Sequence, residues 1–187
     1  MDHRTTAELQ AGIGTVEGSP ADRGTLELIV RRPVPGQRDL PASAELTVEH
    51  GLVGDSWLER GSRHTEDGSP EPDRQVTIAN ARALALFTDD RARWPLAGDQ
   101  LYVDLDLSDE NLPTGTRLQV GEVVLEVTAA PHTGCAKFAD RFGMDVARFV
   151  NSPDGLRLRL RGINARVVVP GTIQVGDEVR KAGRSGG

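Results

Sequence analysis

At 187 residues, with 28 acidic against 22 basic side chains and 4% aromatics, the chain lacks two features that serve nucleic acids. It has neither the general positive field that also draws anionic lipid nor the aromatic platforms that stack single-stranded bases. Its length suits one ordinary domain, expected over residues 1–182 with a flexible tail at 183–187. The lone cysteine, the polar start from Met1 to Gln10 and the lack of an apolar run of about 20 residues predict a cytoplasmic protein without disulfides or membrane spans.

Gly12, Gly14 and Gly18 do not complete the dinucleotide fingerprint, and no strand-helix-strand pattern surrounds them, so nucleotide binding is not expected there. Gly24 to Arg32 is β-rich and stops at Pro33, and Ala44 to Glu49 alternates like a half-buried strand. From Gly54 to Arg74 the chain is rich in Gly, Ser, Pro and charge, as long functional or mobile loops are. Gln75 to Ile78 reads as a strand, and Asn80 caps a helix that Pro95 ends. Gln100 to Leu107 alternates strictly, and Leu118 to Val120 and Val123 to Thr128 are β-rich, with Gly115 and Gly121 as turns. Phe138 and Phe142 stand at helical spacing behind Cys135, which therefore opens a short helix. Arg157 to Arg161 alternates at the strand period, Ile163 to Val169 continues apolar, and Pro170-Gly171 turns the chain into Thr172 to Val179. Many short strands with few helices predict a mainly β (α+β) fold, an antiparallel β-barrel with short helical insertions.

Two clusters carry chemistry. Cys135 sits at a helix start, where partial positive charge favours a thiolate, with Lys137 following and His132 three residues before. A lone cysteine is more often a buried, inert side chain, but the polar flank His132-Thr133-Gly134 points the other way. His132 and Cys135 have no second ligand pair for a structural zinc site. On a strand, Arg157, Arg159 and Arg161 would share one face and offer three forks to a phosphate, against the alternative of a solvated outer face. Arg161, Asn164 and Arg166 extend that strip, and Asp55 after Gly54 either reaches a ligand or bonds its own backbone.

Gly51-Leu52-Val53-Gly54-Asp55, Gly98 to Val103, Gly121 to Thr128, Gly134-Cys135-Ala136-Lys137 and Pro170 to Asp177 resemble, in order and spacing, the pattern of the MOSC family, the C-terminal domains of molybdenum cofactor sulfurases and their stand-alone bacterial relatives. Two positions depart from it. Gly134 stands where proline commonly precedes the cysteine, and Asp99-Gln100 replaces Glu-Asn or Arg-Asn.

The resemblance implies a β-barrel that binds a molybdenum-pterin cofactor and acts as an oxidoreductase on N-hydroxylated small molecules. Cys135 would be the catalytic residue and molybdenum ligand, with Asp55, Lys137, Arg161, Asn164 and Arg166 contacting the cofactor. It leaves open a sulfur carrier with a persulfide on Cys135, or a non-catalytic cofactor-binding module. The sequence shows neither a pyridoxal phosphate site nor a ferredoxin-like cysteine set, so sulfur or electrons would come from a separate donor protein.

Overall fold

A computed structural model describes residues 3–62 and 64–184. Seven strands close a barrel: β1 (Arg23–Ile29), β4 (Val76–Asn80), β5 (Leu101–Asp104), β6 (Thr116–Val120), β7 (Val123–Val127), β8 (Ile163–Val169) and β10 (Glu178–Arg184). Around the barrel they run β1-β10-β6-β7-β8-β4-β5. A second, three-stranded sheet sets β2 (Ser43–Thr47) between β3 (Gly51–Leu52) and β9 (Gly171–Gln174). Apolar residues from alternate strand positions, among them Leu26, Ile78, Leu101, Val103, Leu118, Leu125 and Ala165, fill the interior. Gly121 takes φ +53° in the tight β6–β7 turn, and a side chain there would strike the Asp177 carboxylate.

Helices form a second layer on one side. These are α1 (Thr6–Glu17), α3 (Ala81–Phe87), α4 (Ala136–Phe142), α5 (Met144–Val150) and α6 (Pro153–Arg157), with a 3-10 segment over Arg91–Ala97, while the single turn α2 (Trp57–Arg60) lies in the loop after β3. Leu9, Leu84, Phe87, Tyr102, Phe138, Phe142 and Val146 make the core between helices and barrel. Phe87 and Phe138 meet edge to face at 5.9 Å, the arrangement that the ring quadrupoles favour.

The mainly β barrel with short helices agrees with the expectation, and most strands fall where the alternation puts them. Five details differ. The barrel is not wholly antiparallel: β4 and β5 pair in parallel, because α3 and the 3-10 segment carry the chain back across the barrel between them. Pro95 does not end that unit but lies within the 3-10 segment. The strand expected from Gln100 to Leu107 stops at Asp104, where the Leu105 carbonyl and Asp106 amide bond to Asn80 and Pro20 instead.

The strand expected at 157–161 is absent. Ser152 accepts the Gly155 amide and Pro153 occupies the first helical position, so α6 forms and a turn follows with Arg159 at φ +48°. Alternation of Leu and Arg there is incidental to the backbone. The fifth difference is α1, which was not expected. Its signal was the reciprocal capping box of Thr5 and Glu8, and Gly12 and Gly14 lie inside this helix. Of the expected tail, Gly183 and Arg184 belong to β10, and residues 185–187 lie outside the described residues.

Candidate functional site

The loop from Thr128 to Cys135 joins β7 to α4 across one end of the barrel, and its inner half is tied down by buried side chains. Asn164 on β8 donates Nδ2 to the carbonyls of Ala130 (3.0 Å) and Pro131 (3.3 Å), and Arg74 donates to Pro131 as well. His132 Nε2 lies 2.6 Å from Asp99 Oδ1, and Arg161 Nη1 lies 2.6 Å from Asp99 Oδ2. Asp99 is fully buried and Arg161 is 8% exposed, with its guanidinium over the Phe138 ring at 4.9 Å. Gly162, beside Arg161, takes φ +107° against the Ile78 carbonyl and the His132 ring, leaving no room for a side chain.

Burial works against the Asp99 charge, but Arg161 and His132 outweigh it and hold its carboxyl well below the usual carboxylate range. Burial first, then the Arg161 charge, holds His132 below its usual range against the pull of Asp99. Burial thus favours neutral His132, whose Nε2 faces both the Asp99 carboxylate and, at 2.9 Å, Arg161 Nη1.

The outer half of the loop differs. Gly134 donates its amide to Asn151 Oδ1 (3.1 Å) and accepts from Asn151 Nδ2 (3.2 Å). Proline, with no N–H, could not make the first bond, and a Cβ here would lie 2.8 Å from Val150 Cγ2. That accounts for glycine at this position. Cys135 is the N-cap of α4, in an extended conformation, and is exposed, which rules out the buried, inert alternative. Lys137 is exposed too and makes no ion pair among the described residues.

The other expected contacts are engaged inside the protein. Asp55 receives Arg32 through two side-chain bonds (2.8 and 2.9 Å), the amides of Arg32 and Trp57, and Gln100. The expected row of arginines is not there: Arg157 pairs with Glu17, Arg159 with Asp109 and Arg161 with Asp99, in three directions. Arg166 pairs with Glu126 and Asp73 on the barrel surface. The long loop at 54–74 holds α2 and is tied to the barrel by Thr128 and Arg166 at Asp73.

Sequence reasoning missed a different arginine group. The 3-10 segment ends by presenting four consecutive carbonyls, and each accepts from a different arginine: Pro95 from Arg38, Leu96 from Arg141, Ala97 from Arg161 and Gly98 from Arg32. Helix ends leave such carbonyls open, and their negative pole attracts cations. Arg32 and Arg161 also have carboxylate partners, whereas Arg38 and Arg141 have none among the described residues. Arg60 stands close to Arg32 and Arg38 without an ion pair of its own among those residues. Burial, and then neighbouring arginine charges, holds Arg38 and Arg60 below the usual arginine range. This is half-sheltered positive charge that Asp55 offsets only in part.

The MOSC domain family matches residues 60–180 of this chain. The chain is a member of the MOSC family. YuaD from Bacillus subtilis is similar in fold, with a TM-score of 0.63 at 17% identity over 87% of this chain and 97% of that one. YiiM from Escherichia coli gives 0.56 at 20% identity, over 88% of this MOSC chain and 72% of its own. YiiM from Geobacillus stearothermophilus gives 0.54 at 12% identity over 88% and 74%. At these identities the likeness concerns the fold. No curated protein matches the chain by sequence, and no helix among the described residues is long and apolar enough to cross a membrane.

Proposed function

We propose that this MOSC protein binds the molybdenum-pterin cofactor, with the Cys135 thiolate as the protein's ligand to the metal. The arginines with no ion pair among the described residues, Arg38, Arg60 and Arg141, take the phosphate role that the sequence assigned to Arg161, Asn164 and Arg166. The carrying observation is the exposed thiol at the end of a tied loop. MOSC domains are generally associated with this cofactor, and the donor set suits it: thiolate is a soft ligand, and arginine forks recognise phosphate. Arg141 lies six residues after Cys135 on α4, about 9 Å along the helix axis, so one helix links the thiol to the arginines.

The cofactor, when bound, would supply the two-electron chemistry that removes oxygen from an N-hydroxylated small molecule. That reaction consumes two electrons and two protons and releases water, with the electrons coming from a separate electron-transfer protein. The chain's own part is to hold the thiol and neutralise phosphate. Asp99, His132 and Arg161 fix the loop, and Lys137 adds positive charge beside the thiol. The chain acts as one domain, its last barrel strand running to Arg184, in the cytoplasm, where an exposed thiol stays reduced.

A persulfide carrier on Cys135 is the second reading, favoured by the same exposure. The sheltered arginine group favours the cofactor, because a bare carrier has no use for an anion grip. Protein made in a cofactor-competent host is expected to hold molybdenum and pterin together. If it holds neither, and instead gains the mass of one sulfur from a cysteine desulfurase, the carrier reading replaces this one.

A further inference from the structure

We infer that Asn151 is a positioning residue for the Cys135 thiol. Its side-chain amide spans the backbone of Gly134, the residue before the cysteine, accepting from the amide and donating to the carbonyl. The same Nδ2 donates to the Ala147 carbonyl at 3.0 Å, which ties the clamp to the last turn of α5. One side chain thus joins the C-terminal end of α5 to the residue before the N-cap of α4, while Gly143 joins the two helices at their other ends.

Packing supports the clamp from the other side. Gly134 lies so close to Val150 and Asn151 that even one added carbon would displace the segment. Gly134 is therefore pressed against α5 and held there at both of its polar groups, and Cys135 leaves that fixed point in an extended conformation. The sulfur's surroundings follow: Ala136, Ala139, Met144 and Ala147 form a hollow beside Cys135, with Arg148 and Asn151 at its rim. Cys135 lines that hollow and is exposed. Releasing Gly134 would let Cys135 leave the wall of the hollow.

The inner ties do not duplicate this control. Asn164, Asp99 and Arg161 hold the loop at residues 130–132, which leaves Thr133 and Gly134 to transmit position to the cysteine. Within that stretch the bonds to Asn151 are the side-chain hydrogen bonds that fix Gly134. Asn151 is exposed and lies outside the barrel core, so its loss is local.

The inference rests on Cys135 being the reacting group, and its test needs no metal. In Asn151→Ala, the Gly134 amide is expected to exchange with solvent about tenfold faster, the scale of one or two lost hydrogen bonds. The rate of Cys135 modification by a bulky maleimide, divided by that with iodoacetamide, is expected to rise several-fold, with the melting temperature nearly unchanged. A purely structural loss would speed both reagents together and leave that ratio alone. Asn151→Asp keeps the acceptor for Gly134 and is expected to fall between native and Ala, and it carries the test should Asn151→Ala not fold. An unchanged reagent ratio, or unchanged exchange at Gly134, overturns the proposal. Native protein lacking molybdenum would sink the cofactor reading and leave these outcomes untouched.

Discussion

Two groups of arginines in this protein behave in opposite ways. The group that stands out in the sequence, Arg157, Arg159, Arg161 and Arg166, is spaced like a binding strip, yet each member finds a carboxylate in the folded chain. The other group, Arg38, Arg60 and Arg141, is scattered over a hundred residues of sequence: Arg38 and Arg141 meet at the end of the 3-10 segment, Arg60 lies near Arg38, and none has an ion pair among the described residues. A dense run of charge therefore says little about ligand binding. What counts is which charges remain unneutralised once the fold has paired the rest.

The sharpest way to break the comparison is Arg161→Ala. If Arg161 is structural, its removal leaves Asp99 ionised, buried and short of its main partner, and the loss of stability is expected to reach about 3–5 kcal/mol in urea unfolding. A small loss would put Arg161 back among the ligand-binding candidates.

Next in size is a dependence on pH. His132 has a folded-state pKa below its unfolded one, so the unfolded chain takes up the proton first on acidification. Its contribution is complete above about pH 6.5 and is lost below it, at up to about 1.4 kcal/mol per pH unit. Asp99, also depressed, adds a loss of the same sign below about pH 3.9. Unfolding free energies measured from pH 7 to 5 are expected to fall in the native protein and to flatten in His132→Gln.

Smallest are the stability effects of surface and unpaired arginines. Arg166→Ala, on a half-exposed pair, is expected to cost under about 1 kcal/mol. Arg38→Ala with Arg141→Ala is expected to cost no more in stability, yet to abolish a rise in melting temperature that inorganic phosphate is expected to give the native chain. Equal phosphate response in the Arg166→Ala and Arg38→Ala/Arg141→Ala proteins would erase the distinction between the two groups.

The barrel was legible in the sequence because strand alternation reports on a local, two-residue period. Val123 to Val127 and Ile163 to Val169 became strands, Asn80 capped α3 and Cys135 opened α4. The same period misled at 157–161, where Ser152 and Pro153 had already committed the chain to a helix. The parallel β4–β5 pair was hidden because pairing direction follows from the connection's path, not from either strand's composition. At the site, the thiol and its helix start were readable. The Asp99–His132–Arg161 group joins residues up to 62 positions apart, and Arg38 shows no local signal of its own. The clamp on Gly134 was half visible, as a glycine where the family commonly has proline.

The role of Cys135 as metal ligand is tested most directly by the molybdenum content of native protein and of Cys135→Ala, both made in a cofactor-competent host and exhaustively dialysed. Native protein is expected to retain molybdenum with its pterin, and Cys135→Ala, folded to the same melting temperature, to lose the metal. Equal molybdenum in the two proteins would contradict that role.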